Sequence, residues 1–109
     1  MIRAEYSRSK QELTVEGHAG YAPEGQDIVC ASVSILILTA ALRLRELFEE
    51  DHTHFPEPMI VTEKGYARVQ AMAKGRHKKR TKEVFSVICA GLRQMAEEYP
   101  DNVCYREIL

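Results

Sequence analysis

The longest apolar stretch of this 109-residue sequence runs from Ile28 to Leu42 and limits the possible folds more than any other feature. It is shorter than the roughly 20 apolar residues that a helix needs to cross a bilayer, and it runs into the charged Arg43. Asp27, directly before it, is a favourable N-cap residue, so the pattern predicts a helix from Ile28 to about Glu50. Because the first half of this helix is apolar nearly all round, we expect it to be buried on several sides or to lie in a dimer interface.

The residues before this helix predict a β-hairpin followed by a loop. Residues 2–7 and 11–17 flank a polar Ser-Arg-Ser-Lys turn, and apolar and polar residues alternate in the second run. The segment from Gly17 to Asp27 contains three glycines and one proline, which is too many for a helix or a strand. We therefore expect a mobile loop between the second strand and the helix.

The second half of the sequence repeats this order. Met59–Glu63 and Tyr66–Met72 are joined by Lys64-Gly65 and predict a second hairpin. A second helix is indicated by apolar residues at steps of one, three or four, namely Val84, Phe85, Ile88, Leu92, Met95, Ala96 and Tyr99. Residues 103–109 have the composition of a last strand. The order ββ-α-ββ-α-β predicts one α+β domain over residues 1–109, with two helices on a mixed or antiparallel sheet.

The overall charge favours no particular class of partner, because 15 Lys and Arg stand against 16 Asp and Glu. The distribution is uneven, since residues 74–82 (KGRHKKRTK) hold six of the cationic residues and no acidic one. Such a run is either a solvated face or a contact for RNA phosphates. It contains no aromatic residue, and so it offers no stacking platform for single-stranded bases.

The three cysteines, Cys30, Cys89 and Cys104, are an odd number without CxxC spacing, which favours a reducing compartment over a disulfide scaffold. The sequence begins without the apolar region of a signal peptide, so we expect a cytoplasmic protein. Cys89 and Cys104 lie away from any predicted helix start, and we interpret both as structural.

Residues that suit nucleophilic catalysis lie at both ends of the glycine-containing loop. With Asp27 as the cap, Cys30 is the third residue of the helix, where free amides and the helix dipole stabilise a thiolate. His18, at the end of the second strand, is able to fold back beside this turn and act as general base and acid. Amides at the helix start, those of Cys30 and Ala31 among them, are candidates for the oxyanion hole.

Spacing alone leaves structural alternatives open for each of these residues. A cysteine near a helix start is often a small core residue, and a histidine beside glycine is often a solvated turn residue. Asp27 either caps the helix or orients His18. Ser34 lies one turn after Cys30 and has two possible roles. Its hydroxyl forms a hydrogen bond with the catalytic pair or the substrate, or else it donates to the main-chain carbonyl one turn back.

His52 and His54 form an HxH pair that invites a metal interpretation. Two histidines without a third ligand nearby are a weak signal, because zinc sites usually show clearer ligand sets. We predict no metal and no cofactor.

The segment that carries the candidate chemistry resembles the ribosomal-processing cysteine protease family, Prp. The resemblance rests on residues 17–19 (GHA), the loop glycines Gly20 and Gly25, residues 27–31 (DIVCA) and Ser34, and it extends to residues 91–103 (GLRQMAEEYPDNV). The order of elements agrees as well. The family resemblance therefore covers essentially the whole chain.

The resemblance implies a bacterial cytoplasmic endopeptidase that removes the N-terminal extension of a large-subunit ribosomal protein, the one whose tail approaches the peptidyl-transferase centre. His18 and Cys30 match the family's catalytic dyad, and Asp27 and Ser34 match its other recurrent polar positions. The family further implies a homodimer and a substrate-gating loop, which here contains Gly20 and Gly25. The alternative function is a non-catalytic ribosome- or RNA-associated module that uses residues 74–82.

Overall fold

The computed structural model describes residues 1–109 and contains five strands and two long helices. In chain order these are β1 (Ile2–Ser7), β2 (Glu12–Gly17), α1 (Ile28–Glu50), β3 (Met59–Glu63), β4 (Tyr66–Gln70), α2 (Lys78–Glu98) and β5 (Val103–Ile108). A short 3-10 turn, Gly75–His77, precedes α2. The predicted order of elements is confirmed.

The strands form one mixed sheet in the order β3-β4-β2-β1-β5. Neighbouring strands are antiparallel except β1 and β5, which are parallel. Alternation along β1 buries Ile2, Ala4 and Tyr6 on one face, and the Tyr6 ring lies 5.0 Å from the ring of Phe85 in α2. Both helices cover this apolar face, so the predicted two-layer α+β architecture is confirmed.

Helix α1 buries only one of its faces, which corrects the expectation of a helix buried on several sides. The buried face packs toward the sheet and α2, and it consists of Val29, Val33, Ile37, Ala40, Ala41, Leu44 and Leu47. The opposite face is open to solvent, with Ile35 61% and Leu42 59% exposed. Two layers leave one side of each helix uncovered. The uninterrupted apolar stretch is too short to cross a bilayer, but the whole helix Ile28–Glu50 is long and apolar enough by length and composition alone; its buried face here packs within the domain.

Helix α2 begins at Lys78, inside the basic segment, rather than after it as the sequence pattern predicts. Cations at a helix N-terminus interact unfavourably with the helix dipole. For this reason the sequence pattern does not predict that α2 begins within the basic segment. Tertiary contacts compensate, because the buried Thr81 hydroxyl donates to Oε1 of Gln11 at 2.9 Å. Strand β4 ends at Gln70, two residues earlier than predicted.

Candidate active site

Cys30 lies in the first turn of α1, as the capping prediction requires. Asp27 adopts an extended conformation directly before the helix, and its side chain accepts hydrogen bonds from the amides of Val29 and Cys30. Cys30 is therefore the third helical residue. Its side chain is partly exposed, whereas that of Val29 beside it is fully buried.

The Asp27 carboxylate joins the helix start to the preceding loop. Oδ1 accepts from the amides of Val29 and Cys30, both at 3.0 Å, and Oδ2 accepts from the amides of Tyr21 and Ala22 at 3.1 and 3.3 Å. The amide of Cys30 in particular holds the pKa of the Asp27 carboxyl below its ordinary value of 3.8. All four bonds go to main-chain amides, so the geometry is that of a cap and not of a residue that orients His18.

Replacement of Asp27 by alanine is expected to lower the melting temperature by several degrees and to slow peptide cleavage, because four amides lose their acceptor. Asp27→Asn keeps a capping oxygen and serves as the matched control. Because the folded-state pKa of Asp27 is lowered, its stabilising effect is complete above the ordinary value and is lost as pH falls through the lower folded value. Thermal unfolding of the three proteins from about pH 7 to about pH 3 measures both effects. Equal melting temperatures for parent and Asp27→Ala at neutral pH would contradict the prediction.

His18 follows the last residue of β2, and its ring packs over the turn between β3 and β4. A Cβ placed on Gly65, in that turn, would lie 3.0 Å from Nε2 of His18 and 3.3 Å from Cε1. Gly65 also has a φ of +75° and accepts a hydrogen bond from the amide of Gly17 at 2.9 Å. The glycine thus makes room for the imidazole, a role that the sequence shows only as a Lys-Gly turn.

The structure brings His18 and Cys30 together in one cleft. Both residues line an open cavity of about 570 Å³ and a smaller adjoining one of about 150 Å³. Sγ of Cys30 accepts a hydrogen bond from the amide of Ala19 at 3.3 Å. The imidazole makes no hydrogen bond to the sulfur in this state; catalytic contacts are often loose before substrate binds.

Ser34 lines both cavities one turn after Cys30, and its hydroxyl makes no hydrogen bond within the chain. Other hydroxyl residues of α1 behave differently, since Ser32 donates to the carbonyl of Ile28 and Thr39 to that of Ile35. The bond to the carbonyl one turn back, one of the two interpretations of Ser34, is therefore not formed. Its hydroxyl remains available to a molecule in the cleft.

The structure corrects the expected oxyanion hole. The amide of Cys30 donates to Oδ1 of Asp27 at 3.0 Å, and the amide of Ala31 donates to the carbonyl of Asp27 at 3.1 Å. Both amides are thus occupied by the cap that places them at the helix start. The charge that develops on a substrate carbonyl needs other donors of the cleft.

The remaining cysteines and histidines lie outside the cleft. Cys89 is buried in α2, and burial raises the pKa of its thiol, whereas Cys104 is exposed on β5. His52 stacks on the ring of Phe48, and Nδ1 of His54 lies 2.8 Å from Oδ2 of Asp51. The two histidines therefore make separate contacts, and no three potential metal ligands converge in the chain.

A free thiol at a helix start that shares a cleft with a histidine, on a two-layer α+β domain, is compatible with nucleophilic catalysis by cysteine. The family model described as cysteine protease Prp matches residues 1–104. The chain belongs to this family of cysteine proteases.

Two curated relatives agree with this assignment, and both are named ribosomal processing cysteine protease Prp. The one from Mycoplasma pneumoniae is 32% identical over 99 residues, which is 91% of this chain and 89% of the relative. The one from Mycoplasma genitalium is 29% identical over 99 residues, with 91% and 90% covered.

Solved structures share the fold at lower sequence identity. The ribosomal processing protease Prp of S. aureus, in complex with a covalently linked product peptide, superposes with a TM-score of 0.80 at 19% identity, covering 99% of this chain and 100% of that one. The SMU.848 protein of Streptococcus mutans gives a TM-score of 0.71 at 23% identity, covering 99% and 94%.

Proposed function

We propose that residues 1–109 form one cytoplasmic endopeptidase domain that removes the N-terminal extension of a large-subunit ribosomal protein in bacteria, with Cys30 as nucleophile and His18 as general base and acid. The observation that carries this proposal is the thiol of Cys30 at the start of α1, open to the cleft that His18 also lines. The ribosomal substrate is supported by the relatives, which are named for ribosomal processing.

The proposed reaction proceeds through a thioester. His18 takes the proton of the Cys30 thiol, and the thiolate forms a bond to the carbon of the scissile carbonyl. The tetrahedral intermediate collapses as the C–N bond breaks, and the imidazolium of His18 gives its proton to the leaving amine. Water, deprotonated by His18, then attacks the thioester; the C–S bond breaks, the sulfur regains the proton, and the second product leaves as a carboxylic acid.

Asp27 and Ser34 have supporting roles in this scheme. Asp27 caps the first turn of α1 and thereby fixes the position of the Cys30 backbone beside the cleft. Ser34 offers a free hydroxyl on the same side of the helix and contacts the bound peptide. The rim of the cleft is spanned by an ion pair between Glu24 of the loop and Lys64 of the β3–β4 turn, at 3.3 Å. Since both side chains are mostly exposed, the pair is weak and is readily broken by substrate.

The loop over residues 19–26 gates the cleft in this proposal, and Gly20 and Gly25 give it the required backbone freedom. Their φ values are +68° and +84°, in the left-handed region that side chains disfavour. Gly25→Val is expected to lower kcat/KM severalfold, because the strained loop no longer reaches the conformations that substrate binding needs. Gly75→Val is the matched control, because Gly75 has a φ of +59° and equal open space but does not line the cleft. Normal turnover in both Gly20→Val and Gly25→Val would argue against gating.

A peptide that spans the junction between the extension and the mature ribosomal protein tests the proposed substrate. We expect the folded, reduced protein to cleave it at one bond, as read by mass spectrometry. A peptide of equal length taken from within the mature sequence is the matched control and should stay intact. A junction peptide that survives undamaged would overturn the proposed substrate.

The exposed apolar face of α1 supports a homodimer as the working form of this protein. Ile35 and Leu42 on α1, and Val87 on α2 with 64% of its area exposed, are large apolar side chains that a monomer leaves in water. A groove of about 380 Å³ between the two helices adjoins them. Sedimentation at micromolar concentration measures the oligomeric state, and a monomer at that concentration would contradict the proposal.

The basic segment supports a weaker contact with ribosomal RNA. Lys78, Lys79 and Arg80 are exposed at the start of α2, and the Arg80 guanidinium also lies 5.5 Å from the centre of the Phe55 ring. Binding through phosphates weakens steeply as salt rises, so affinity for a ribosomal RNA fragment measured over a salt series tests this contact.

A further inference from the structure

Ala19 connects the thiol of Cys30 to a part of the fold outside the gating loop. Its amide donates to Sγ of Cys30 at 3.3 Å, and its carbonyl accepts a hydrogen bond from Nδ2 of Asn102 at 2.9 Å. The alanine side chain is only 3% exposed, so it is anchored in the core as well. Main-chain groups on both sides of one residue are thus held by two different side chains.

Asn102 is itself held by main-chain hydrogen bonds to its own turn and to β1. It lies between α2 and β5, where its amide donates to the carbonyl of Tyr99 at 3.0 Å and its carbonyl accepts from the amide of Ile2 at 2.8 Å. These two bonds do not involve the side chain. The side-chain amide therefore extends from a fixed backbone toward Ala19.

The hydrogen bond from the Ala19 amide to Sγ of Cys30 favours one protonation state of the sulfur. A thiolate is a stronger hydrogen-bond acceptor than a thiol, so an amide held against Sγ favours the form that attacks a carbonyl. The amide stays there only while the backbone at Ala19 keeps its orientation. The Asn102 side chain restrains that orientation through the carbonyl of the same residue, and the Met1 ammonium donates to the carbonyl of His18, in the peptide unit that contains the Ala19 amide.

We propose that Asn102 is a positioning residue for the nucleophile: its side-chain amide holds the carbonyl of Ala19, and thereby keeps the Ala19 amide on the sulfur of Cys30. The inference rests on the proposed role of Cys30 as nucleophile. It also divides the loop over residues 19–26, because Ala19 is buried and held on Cys30, whereas Gly20, the next residue, has a φ of +68° and begins the exposed part.

The loop has a second attachment that provides a control. The Tyr21 ring meets the Tyr99 ring edge-on, with centroids 5.5 Å apart. Tyr99→Leu removes this contact but leaves the side chain of Asn102 in place. It is therefore expected to loosen the loop and change KM, while the reactivity of Cys30 stays as in the parent.

Two variants test the positioning role. Asn102→Asp has nearly the same shape but cannot donate when ionised, and Asn102→Ala removes the donor without adding a charge. The first measurement is the rate of alkylation of Cys30 by iodoacetamide as a function of pH, with mass spectrometry to distinguish Cys30 from the exposed Cys104. The second is kcat and KM on the junction peptide. The titratable groups that face Cys30 are the same in all variants: His18, Glu24, Asp27 and Lys64 around the open cleft, Glu63 and Tyr66 of the smaller cavity, and the Met1 ammonium on the carbonyl of His18.

We expect both variants to alkylate Cys30 about three- to tenfold more slowly at neutral pH, because one hydrogen bond to the thiolate is weakened. The pH midpoint of alkylation should move upward, and kcat should fall with little change in KM. Variants that melt at a lower temperature but keep the parent midpoint and kcat would show a structural role only and overturn the inference. A Cys30→Ala protein that still cleaves would instead refute the proposed nucleophile, whatever the Asn102 variants do.

Discussion

Replacement of Cys30 by alanine is expected to reduce cleavage of the junction peptide to background, a loss of at least about 10⁴-fold. The methyl group cannot form the thioester, and nothing else in the cleft replaces it, since Ser34 has no base held against its hydroxyl. Folding should be unaffected, because the Cys30 side chain is only partly buried and the Asp27 cap uses its amide.

The other two cysteines are the matched controls for this result. Cys104→Ser changes an exposed thiol on β5 and should leave turnover unaltered. Cys89→Ala removes a buried thiol, so it should lower the melting temperature rather than the rate of the folded enzyme. Full activity in a folded Cys30→Ala protein would rule out a cysteine nucleophile at this position.

Replacement of His18 by alanine is the second large effect, an expected fall in kcat of roughly 10²–10⁴-fold. Without the imidazole no group takes the thiol proton or returns one to the leaving amine, so both acylation and deacylation slow. KM should change little, because the ring is exposed at the rim of the cleft. Initial rates at saturating peptide concentration measure the effect.

A histidine outside the cleft shows whether the loss is specific. His52 is exposed and stacks on Phe48 at the far end of α1, so His52→Ala should retain the parent kcat. Gly65→Ala offers an independent check, since its Cβ would press against the His18 ring, and it should reduce kcat in the same direction. A His18→Ala enzyme with undiminished kcat would require a different base.

Local patterns were sufficient to predict the elements that present the candidate site. The N-cap at Asp27 follows from one residue type beside an apolar run, and it places Cys30 in the first turn without any tertiary information. The same kind of pattern failed at the start of α2, where four cations at Lys78–Lys82 disfavour a helix locally. There the first turns of α2 are held by a contact with Gln11, which is distant in sequence.

The contacts that orient the site are the ones that sequence did not reveal. Asn102 and Ala19 are 83 residues apart, and neither residue type signals a partnership. Gly65 is recognisable as a turn residue, but its proximity to the His18 ring depends on the pairing of β2 with β4. The exposure of α1 also depends on packing, since periodicity shows which residues are apolar but not how many layers cover them.

The carboxylate of Asp27 binds amides of two segments, the loop and the first turn of α1, that we expect to exchange hydrogen at different rates. Its Oδ2 accepts from the amides of Tyr21 and Ala22 in the loop, whereas its Oδ1 accepts from the amides of Val29 and Cys30 in the first turn of α1. Hydrogen exchange in the free enzyme should therefore be fast at residues 21 and 22 and slow at residues 29 and 30. On the proposed gating, one side chain would thus join a segment that opens for substrate to a helix start that keeps its geometry.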